Sequence, residues 1–347
     1  MFLGFHFLTL KDKNNKTNQY LGVFLILTAV SVFGSEFEEI SDRSVLVQIL
    51  HLLNSPFIFA PLLLFYTFSL TNASLEKTKK YRWIFLIPLI DSLTATFVIF
   101  NKINLPEIVS ILIVNSSTIF SFILFSLILK EIKLHNNNIL NLFSTLDNKR
   151  LNWLKLLIIV NIGFLIIWIL DDSLVFLIGQ NLISELLALI SHFATSITII
   201  WISFSTLRQE KIFELKEETI DDVVIELNPK EDLLQKFKDI KLIIEKEKIF
   251  TIDTLSLSDL AYKLNLKPKE LTQLLKECSD TNFYNFINSY RIEYFKTLIT
   301  DSNFEHLSIE GLSQEAGFKS KSTFYSAFKN AEGITPNEYR LNQNIVI

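Results

Sequence analysis

The sequence predicts an all-α protein in which a polytopic transmembrane helical bundle is followed by a cytoplasmic tandem helix-turn-helix domain. Three observations lead to this prediction. Long apolar blocks fill residues 20–207, charges become frequent from Arg208 onward, and residues 251–341 carry paired helix-capping and turn signals. Hydrophobic residues make up 49% of the 347 residues and charged ones 20%, which is too apolar for an ordinary soluble protein.

The first 207 residues are predicted to form the bundle, because a spanning helix needs about 20 mostly apolar residues. Six blocks are candidate spans, the first of them short: residues 20–34, 45–70, 83–100, 108–129, 153–170 and 182–207. Residues 1–10 are apolar but too few to span alone. They also lack the basic start and the small-residue cleavage site of a secretory signal, so we interpret them as part of a truncated helix.

The Lys and Arg residues between the predicted spans indicate the orientation of the bundle, since basic residues in short loops accumulate on the cytoplasmic side. Alternate loops carry eleven of them: Lys11, Lys13, Lys16, Lys77, Lys79, Lys80, Arg82, Lys130, Lys133, Lys149 and Arg150. The intervening loops carry only two, Arg43 and Lys102. We therefore expect a multi-pass protein whose C-terminus is cytoplasmic.

Three ionisable residues lie inside predicted spans, where a charge is costly. Asp91 and His192 are near the middle of their spans, and Glu185 lies seven residues before His192 on the same helix face. They form either a polar ligand pocket or proton-sensitive switch inside the bundle, or a set of groups that satisfy one another and fix the packing. The sequence leaves both alternatives open.

Residues 208–250 are predicted to be a charged helical linker. After Pro229, apolar residues recur at helical spacing: Leu233, Leu234, Phe237, Ile240, Ile243 and Ile244. This face is either a signalling helix or dimer seam, or a surface that packs on the domain that follows.

The first helix-turn-helix unit begins at Ser256, where Asp259 completes a capping box. Asn265 tolerates the left-handed turn, and Pro268 suits the first turn of the second helix. The second helix of such a pair enters the major groove of DNA, where Gln and Lys read bases and Thr binds phosphate. The candidate DNA contacts of this unit are Lys269, Glu270, Thr272 and Gln273.

The second unit repeats this design, with Ser308 as a cap, Gly317 at the turn and a reading helix that begins near Ser320. Its candidate DNA contacts are Lys319, Ser320, Lys321, Ser322, Thr323, Tyr325 and Ser326. A helix over residues 283–300 joins the units. It could set the two reading helices one DNA turn apart, about 34 Å.

This combination resembles the AraC/XylS family of transcription regulators. The resemblance rests on Leu260, Ala261, Pro268, Leu271, Phe283, Asn288, Arg291, Ala316, Gly317, Phe318, Ser322, Phe324, Phe328, Lys329, Gly333, Thr335, Pro336, Tyr339 and Arg340. The sequence departs from the family where Lys267 replaces a capping Ser, Asp280 replaces a turn Gly, and Leu312-Ser313 replace an Ile-Ala pair. With the hydrophobic first half, the chain resembles the membrane-anchored members of that family, which implies the bacterial inner (cytoplasmic) membrane.

The charge balance predicts modest intrinsic affinity for DNA. Residues 251–340 contain 10 Lys and Arg against 12 Asp and Glu, whereas DNA-binding domains are usually basic. A homodimer or confinement at the membrane could compensate.

The function expected from the sequence is that of a membrane-bound, sequence-specific DNA-binding transcription regulator that couples a signal at the membrane to gene expression. Its expected partners are DNA, the lipid bilayer, a second copy of the chain, and an unidentified small-molecule or envelope signal. No phosphate-binding loop, metal-ligand cluster or nucleophile triad is visible in the sequence, so no enzyme, cofactor or metal is predicted. The alternatives are a transporter or intramembrane enzyme with a regulatory tail, and a membrane anchor that has no sensing role.

Overall fold

The computed structural model describes residues 1–10, 15–40, 55, 57–101, 103, 105–147, 149–179, 182–208 and 230–344. Over these ranges the regular structure is helical, with one isolated antiparallel bridge between Phe143 and Ser256. The predicted all-α class is thus confirmed for the described residues. The chain divides into two compact units. Unit 1 combines Met1–Leu134 with Leu151–Leu215, and unit 2 combines His135–Arg150 with Lys216–Ile347.

Most helices of unit 1 overlap the predicted spans, but Phe2–Thr9 lies before the first span and Leu75–Tyr81 lies between two spans. The helices of this unit are α1 (Phe2–Thr9), α2 (Asn15–Ile40), α3 (Phe59–Leu70), α4 (Leu75–Tyr81), α5 (Leu86–Phe100), α6 (Glu107–Asn138), α7 (Asn152–Ile178) and α8 (Leu182–Arg208). A 3-10 turn, Arg82–Phe85, connects α4 to α5. The last four residues of α6 continue into unit 2. Residues 45–54 of the second predicted span lie outside the described residues.

The core of unit 1 is built by apolar residues from α2, α3, α6 and α7, including Leu21, Leu64, Ile128 and Ile158, none of which is exposed. The first helix joins this core through Phe7, and α1 crosses α2 at two glycines. A Cβ on Gly4 would lie 2.9 Å from the carbonyl oxygen of Gly22. Small residues permit this close approach of two helices, so the apolar segment 1–10 contains a helix, Phe2–Thr9, that packs on α2.

Two stretches of the described chain are long and apolar enough to cross a membrane. Glu76–Val98 has a mean hydropathy of 1.2 and Asn152–Val175 one of 2.4. The sequence predicts six spans, whereas only two stretches of the described residues meet this criterion of length and hydropathy. The six-span bundle stays a prediction.

Unit 2 contains α9 (Lys230–Lys246), α10 (Leu257–Lys263), α11 (Pro268–Ser279), α12 (Phe283–Ile299), α13 (Ile309–Glu315), α14 (Lys321–Glu332) and α15 (Pro336–Asn344). Short 3-10 turns cover Ile139–Asn141, Ile249–Thr251 and Ser302–Phe304. Helices α10 and α11 form the first helix-turn-helix unit, and α13 and α14 form the second. Helix α12 lies between them in the chain.

Helix α12 carries two hydrophobic cores, one on each half. Its first half contributes Phe283, Phe286 and Ile287 to a core that includes residues of α10 and α11. Its second half contributes Phe295 to a core with Phe324 and other residues of α13 and α14. The rings of Phe295 and Phe324 lie 4.7 Å apart between centroids. One helix therefore serves as the common support of both reading units.

The apolar face of α9 is used within unit 2. Phe237, Ile240 and Ile244 are buried in the first core, and the Phe237 ring lies 5.9 Å from that of Phe286. Of the two alternatives left open for this face, packing on the following domain describes the structure.

Phe295→Ala is expected to destabilise unit 2 by about 3–5 kcal/mol, because it removes a fully buried ring from the second core. The matched control is Tyr262→Ala, since Tyr262 is 87% exposed and its loss should change the free energy of unfolding by no more than about 0.5 kcal/mol. Hydrogen exchange of α12 and α14 amides in the full-length protein measures both. Equal protection in the two variants would contradict the assignment of Phe295 to the core.

Candidate DNA-binding site

The first helix-turn-helix unit has the local geometry that the sequence predicts. The Ser256 hydroxyl accepts from the Asp259 amide at 3.1 Å, and the Asp259 carboxylate accepts from the Ser256 amide at 3.0 Å. Asn265 has a φ of 54°, in the left-handed region. Pro268 is the first residue of α11. The capping box, the turn and the helix start are thus confirmed.

Three of the four candidate residues of α11 make hydrogen bonds to nearby residues of the same helix or its N-cap. The Glu270 carboxylate accepts from the Lys267 amide at 2.9 Å, which supplies half a capping box, because the lysine side chain has no acceptor atom to return. The Thr272 hydroxyl donates to the Pro268 carbonyl at 2.9 Å, and the Gln273 amide donates to Glu277 at 3.0 Å. Lys269 and Thr272 are exposed, whereas Glu270 and Gln273 are half-buried.

The second unit turns at Gly317, whose φ is +94°. This glycine also has a neighbour that the sequence did not reveal. A Cβ built on it would lie 2.6 Å from Thr251 Cα and 2.7 Å from the Phe250 carbonyl oxygen. The backbone before α10 is therefore seated directly against the turn of the second unit, and only glycine leaves room for it.

Helix α14 exposes a polar surface at its start. Ser320 caps it by accepting from the Thr323 amide at 3.3 Å. Among the candidate contacts, Lys319, Lys321, Ser322 and Ser326 are exposed, while Ser320 and Tyr325 are half-buried.

Lys321 is held by an ion pair with Glu310 of α13. Its ammonium also lies 5.6 Å from the centre of the Tyr325 ring. The hydrogen bond to Glu310 raises the pKa of Lys321, and the charge of Glu310 adds to the effect. The lysine is therefore cationic but partly neutralised by its neighbour.

Thr323 lies on a different face from the one the sequence predicts. The sequence groups it with the accessible residues, but it is only 8% exposed and its hydroxyl donates to Asp147 at 3.1 Å. This correction has a physical reason: the third residue of α14 faces residues 139–147, which the sequence assigned to a loop of the membrane bundle.

Arg291 is the central buried polar residue of unit 2. Its Nε donates to the Phe250 carbonyl at 2.7 Å, and its Nη2 donates to the Ile252 carbonyl at 2.7 Å and to Ser144 Oγ at 3.0 Å. Its Nη1 donates to the Ser144 carbonyl at 3.3 Å and to Asn288 Oδ1 at 3.2 Å. In the sequence, Arg291 stands out only through the family resemblance, because its partners are up to 147 positions away.

Burial lowers the pKa of Arg291 to about 10, because it disfavours the charged form. The negative charge of Asp253 acts in the opposite direction. Arg291 therefore remains charged at neutral pH, and the guanidinium is stabilised mainly by carbonyl and hydroxyl oxygens.

The three ionisable residues of the bundle are described only in part. The Asp91 carboxylate accepts from the Ser55 hydroxyl at 2.7 Å. Glu185 and His192 belong to α8, but their side chains lie outside the described part of the structure. Their grouping with Asp91 stays a prediction. Among the described residues, no three His, Cys, Asp or Glu side chains lie close enough together to hold a metal ion.

Comparison with known proteins agrees with this geometry. Residues 260–342 match a family model described as a helix-turn-helix domain. This part of the chain is an AraC-type helix-turn-helix domain. The chain is 26% identical over 126 residues to the uncharacterized HTH-type transcriptional regulator YtdP of Bacillus subtilis (strain 168). That alignment covers 36% of this chain and 16% of YtdP, and no solved structure matches. Both matches are described as helix-turn-helix proteins or domains, in agreement with the expectation that the chain is not an enzyme.

Gly317→Ala is expected to be more damaging than Gly333→Ala. Both glycines have positive φ, +94° and +75°, so each alanine incurs about 1–2 kcal/mol of backbone strain. Only at Gly317 does the new methyl group meet backbone, whereas nothing lies within 4 Å at Gly333. The additional overpacking should cost about 1–3 kcal/mol.

The measurement is the hydrogen-exchange protection of α13 and α14 in the two full-length variants. Equal losses of protection would mean that the turn at Gly317 tolerates a side chain and that its packing on Phe250 and Thr251 is not needed.

Proposed function

We propose that this chain is a membrane-bound, sequence-specific DNA-binding transcription regulator that couples a signal at the membrane to gene expression. The observation that carries the proposal is the tandem arrangement of α10–α11 and α13–α14 on α12. Each pair presents the start of its second helix with exposed polar side chains, which is how helix-turn-helix units approach the major groove.

The DNA-facing residues in this proposal are those that remain exposed: Lys269, Thr272, Lys319, Lys321, Ser322 and Ser326. Lysine and hydroxyl side chains bind phosphate, and lysine also reads guanine. Four half-buried candidates would contact DNA only after giving up their present contacts within the protein: Glu270, Gln273, Ser320 and Tyr325.

The ion pair between Lys321 and Glu310 lowers the net positive charge at the start of α14. Since phosphate neutralisation supplies much of the affinity for DNA, this pair and the acidic balance of the domain are consistent with modest intrinsic affinity. A phosphate at this position would compete with Glu310 for the ammonium. Binding as a homodimer would offset part of the deficit.

Location in the bacterial cytoplasmic membrane is supported by the surface of unit 1. In the most apolar 18 residues of Glu76–Val98 and of Asn152–Val175, only 6% and 17% are buried, whereas the core helix of a soluble protein is mostly buried. Large apolar side chains are exposed on several helices, among them Leu93, Phe97, Trp168, Phe193 and Ile200. A surface of this kind fits a lipid environment. The alternating basic loops add a cytoplasmic C-terminus to the proposal.

The signal is proposed to act on the bundle. Asp91 is a carboxylate bonded to Ser55 in a predominantly apolar unit, which makes this contact the first place to test for a polar ligand. Glu185 and His192 are further candidates from the sequence.

Lys321→Ala is expected to weaken DNA binding by about 1–3 kcal/mol if the lysine reads a base, or to reduce the salt slope by about 1 if it binds phosphate. Glu310→Gln should have the opposite effect, because it removes the competing carboxylate. The probe is the duplex that the wild-type full chain in nanodiscs enriches from a random-sequence library, titrated at two salt concentrations.

Lys238→Ala is the matched control, since Lys238 is an exposed lysine of α9, outside both helix-turn-helix pairs. It should bind as the wild type does. If the wild type enriches no duplex, the proposed DNA binding is wrong. If the Lys321 and Lys238 variants bind with equal affinity, Lys321 is not part of the DNA-contacting surface.

A periplasm-dependent phosphatase joined after Ile347 is expected to be inactive, and the same enzyme inserted after Gly179, at the end of α7, is expected to be active. The physical reason is the loop bias of Lys and Arg, which favours a cytoplasmic C-terminus. Activity after Ile347 would exclude both the topology and a role in transcription.

A further inference from the structure

Residues 139–147 follow α6 in the chain and precede α7, yet they are part of unit 2. We refer to them as the docking segment. The Ser144 amide donates to the Leu255 carbonyl at 3.1 Å, and the Leu257 amide donates to the Leu142 carbonyl at 2.8 Å. These bonds flank the antiparallel bridge of Phe143 with Ser256, which caps α10. The segment thus forms a short strand pair with the start of the first helix-turn-helix unit.

The docking segment is also buried against α12. Ser144 has no exposed surface, and Ile139 and Leu146 are buried. The Ser144 hydroxyl donates to the Leu255 carbonyl at 2.6 Å and accepts from Arg291 at 3.0 Å. Arg291 therefore joins the segment and α12 through one buried guanidinium.

The third contact is with the second reading helix. Asp147 accepts from the Thr323 hydroxyl at 3.1 Å in the first turn of α14. One stretch of nine residues consequently touches the first unit, the connecting helix and the second unit.

We propose that the docking segment acts in cis as an alignment element, which holds both helix-turn-helix units in the arrangement that binds DNA and lowers their affinity when it is released. The proposal rests on the proposed function in DNA binding. Two helix-turn-helix pairs bind DNA more tightly when their spacing is fixed in advance. Conformational entropy that is lost on binding lowers the affinity, and a fixed spacing reduces that loss.

The docked segment leaves the reading surface open. Lys269, Thr272, Lys319 and Ser322 are exposed while the segment is in place, and Asp147 contacts the inward face of α14 through Thr323. The segment therefore supports the reading helices and does not cover them. This observation favours alignment over inhibition.

The position of the segment in the chain gives the alignment a route to regulation. Helix α6 ends at Asn138 and α7 begins at Asn152, so both ends of the segment are attached to helices of the proposed membrane bundle. A change in the distance between those two helix ends would strain the segment, and this strain releases the two helix-turn-helix pairs.

A disulfide tests the docked state directly. Phe143 and Ser256 are opposite each other in a non-hydrogen-bonded antiparallel pair, where Cα atoms are about 4.5 Å apart, within the range that a disulfide spans. The locked variant combines Phe143→Cys and Ser256→Cys in a Cys278→Ser background. The released variant combines Ser144→Ala with Asp147→Ala, and Asn141→Ala is its control because Asn141 is an exposed residue of the same segment.

All variants are measured as full chains in nanodiscs against the duplex enriched by the wild type. We expect the released variant to lose about tenfold in affinity, the equivalent of one hydrogen bond to a charged group. The Asn141 control should bind as the wild type. The oxidised locked variant should bind at least as tightly as its reduced form, and adding the disulfide to the released variant should restore affinity. A disulfide can also restore a fold that the substitutions have destabilised, so hydrogen-exchange protection of α12 is measured in the same variants. Loss of affinity with unchanged protection of α12 supports alignment, whereas loss of both would mean unfolding and would overturn the proposal.

Loss of binding on oxidation of the locked variant would show that the docked segment inhibits, and would overturn the proposal. Wild-type affinity in the released variant would overturn it as well. Both outcomes differ from failure of the proposed function, in which the wild type enriches no duplex and the Lys321→Ala variant has no effect.

Discussion

Arg291 brings three separate stretches of unit 2 to one point. Its guanidinium donates to carbonyls before α10, to Ser144 of the docking segment and to Asn288 of its own helix. A buried guanidinium is stable only when its donors are satisfied, because desolvating the charge is costly. The backbone at residues 250–252 and the segment around Ser144 must therefore both remain in place while unit 2 stays folded around this side chain.

The two reading units depend on this arrangement through α12. Each half of that helix supports one hydrophobic core, and Arg291 lies between the two halves. Arg291 donates hydrogen bonds to the backbone at Phe250 and Ile252. The same stretch of backbone packs against Gly317, where the absence of a side chain leaves room for it. The turn of the second unit and the entry to the first are consequently packed against the same short piece of chain. A movement of that stretch of backbone would therefore shift both reading helices.

The docking segment changes how the protein is divided. A domain boundary drawn from composition places residues 130–152 with the apolar half, because apolar helices precede and follow them. The contacts place His135–Arg150 with the DNA-binding half. A fragment that begins after the linker would lack Ser144 and Asp147, and would leave Arg291 without two of its hydrogen bonds. Measurements of DNA binding therefore require the full chain.

The sequence by itself determined the features that depend on neighbouring residues. The capping box at Ser256, the left-handed Asn265, the proline start of α11 and the turn at Gly317 follow from local chemistry, and so do the helices at the apolar blocks. Only the tertiary structure decided the contacts that join distant positions. The hydroxyl of the buried Thr323 and two hydrogen bonds of Arg291 involve Asp147 and Ser144, which lie between α6 and α7, far away in the chain. Helical periodicity reports which face of a helix is apolar, but it does not report which distant segment covers that face.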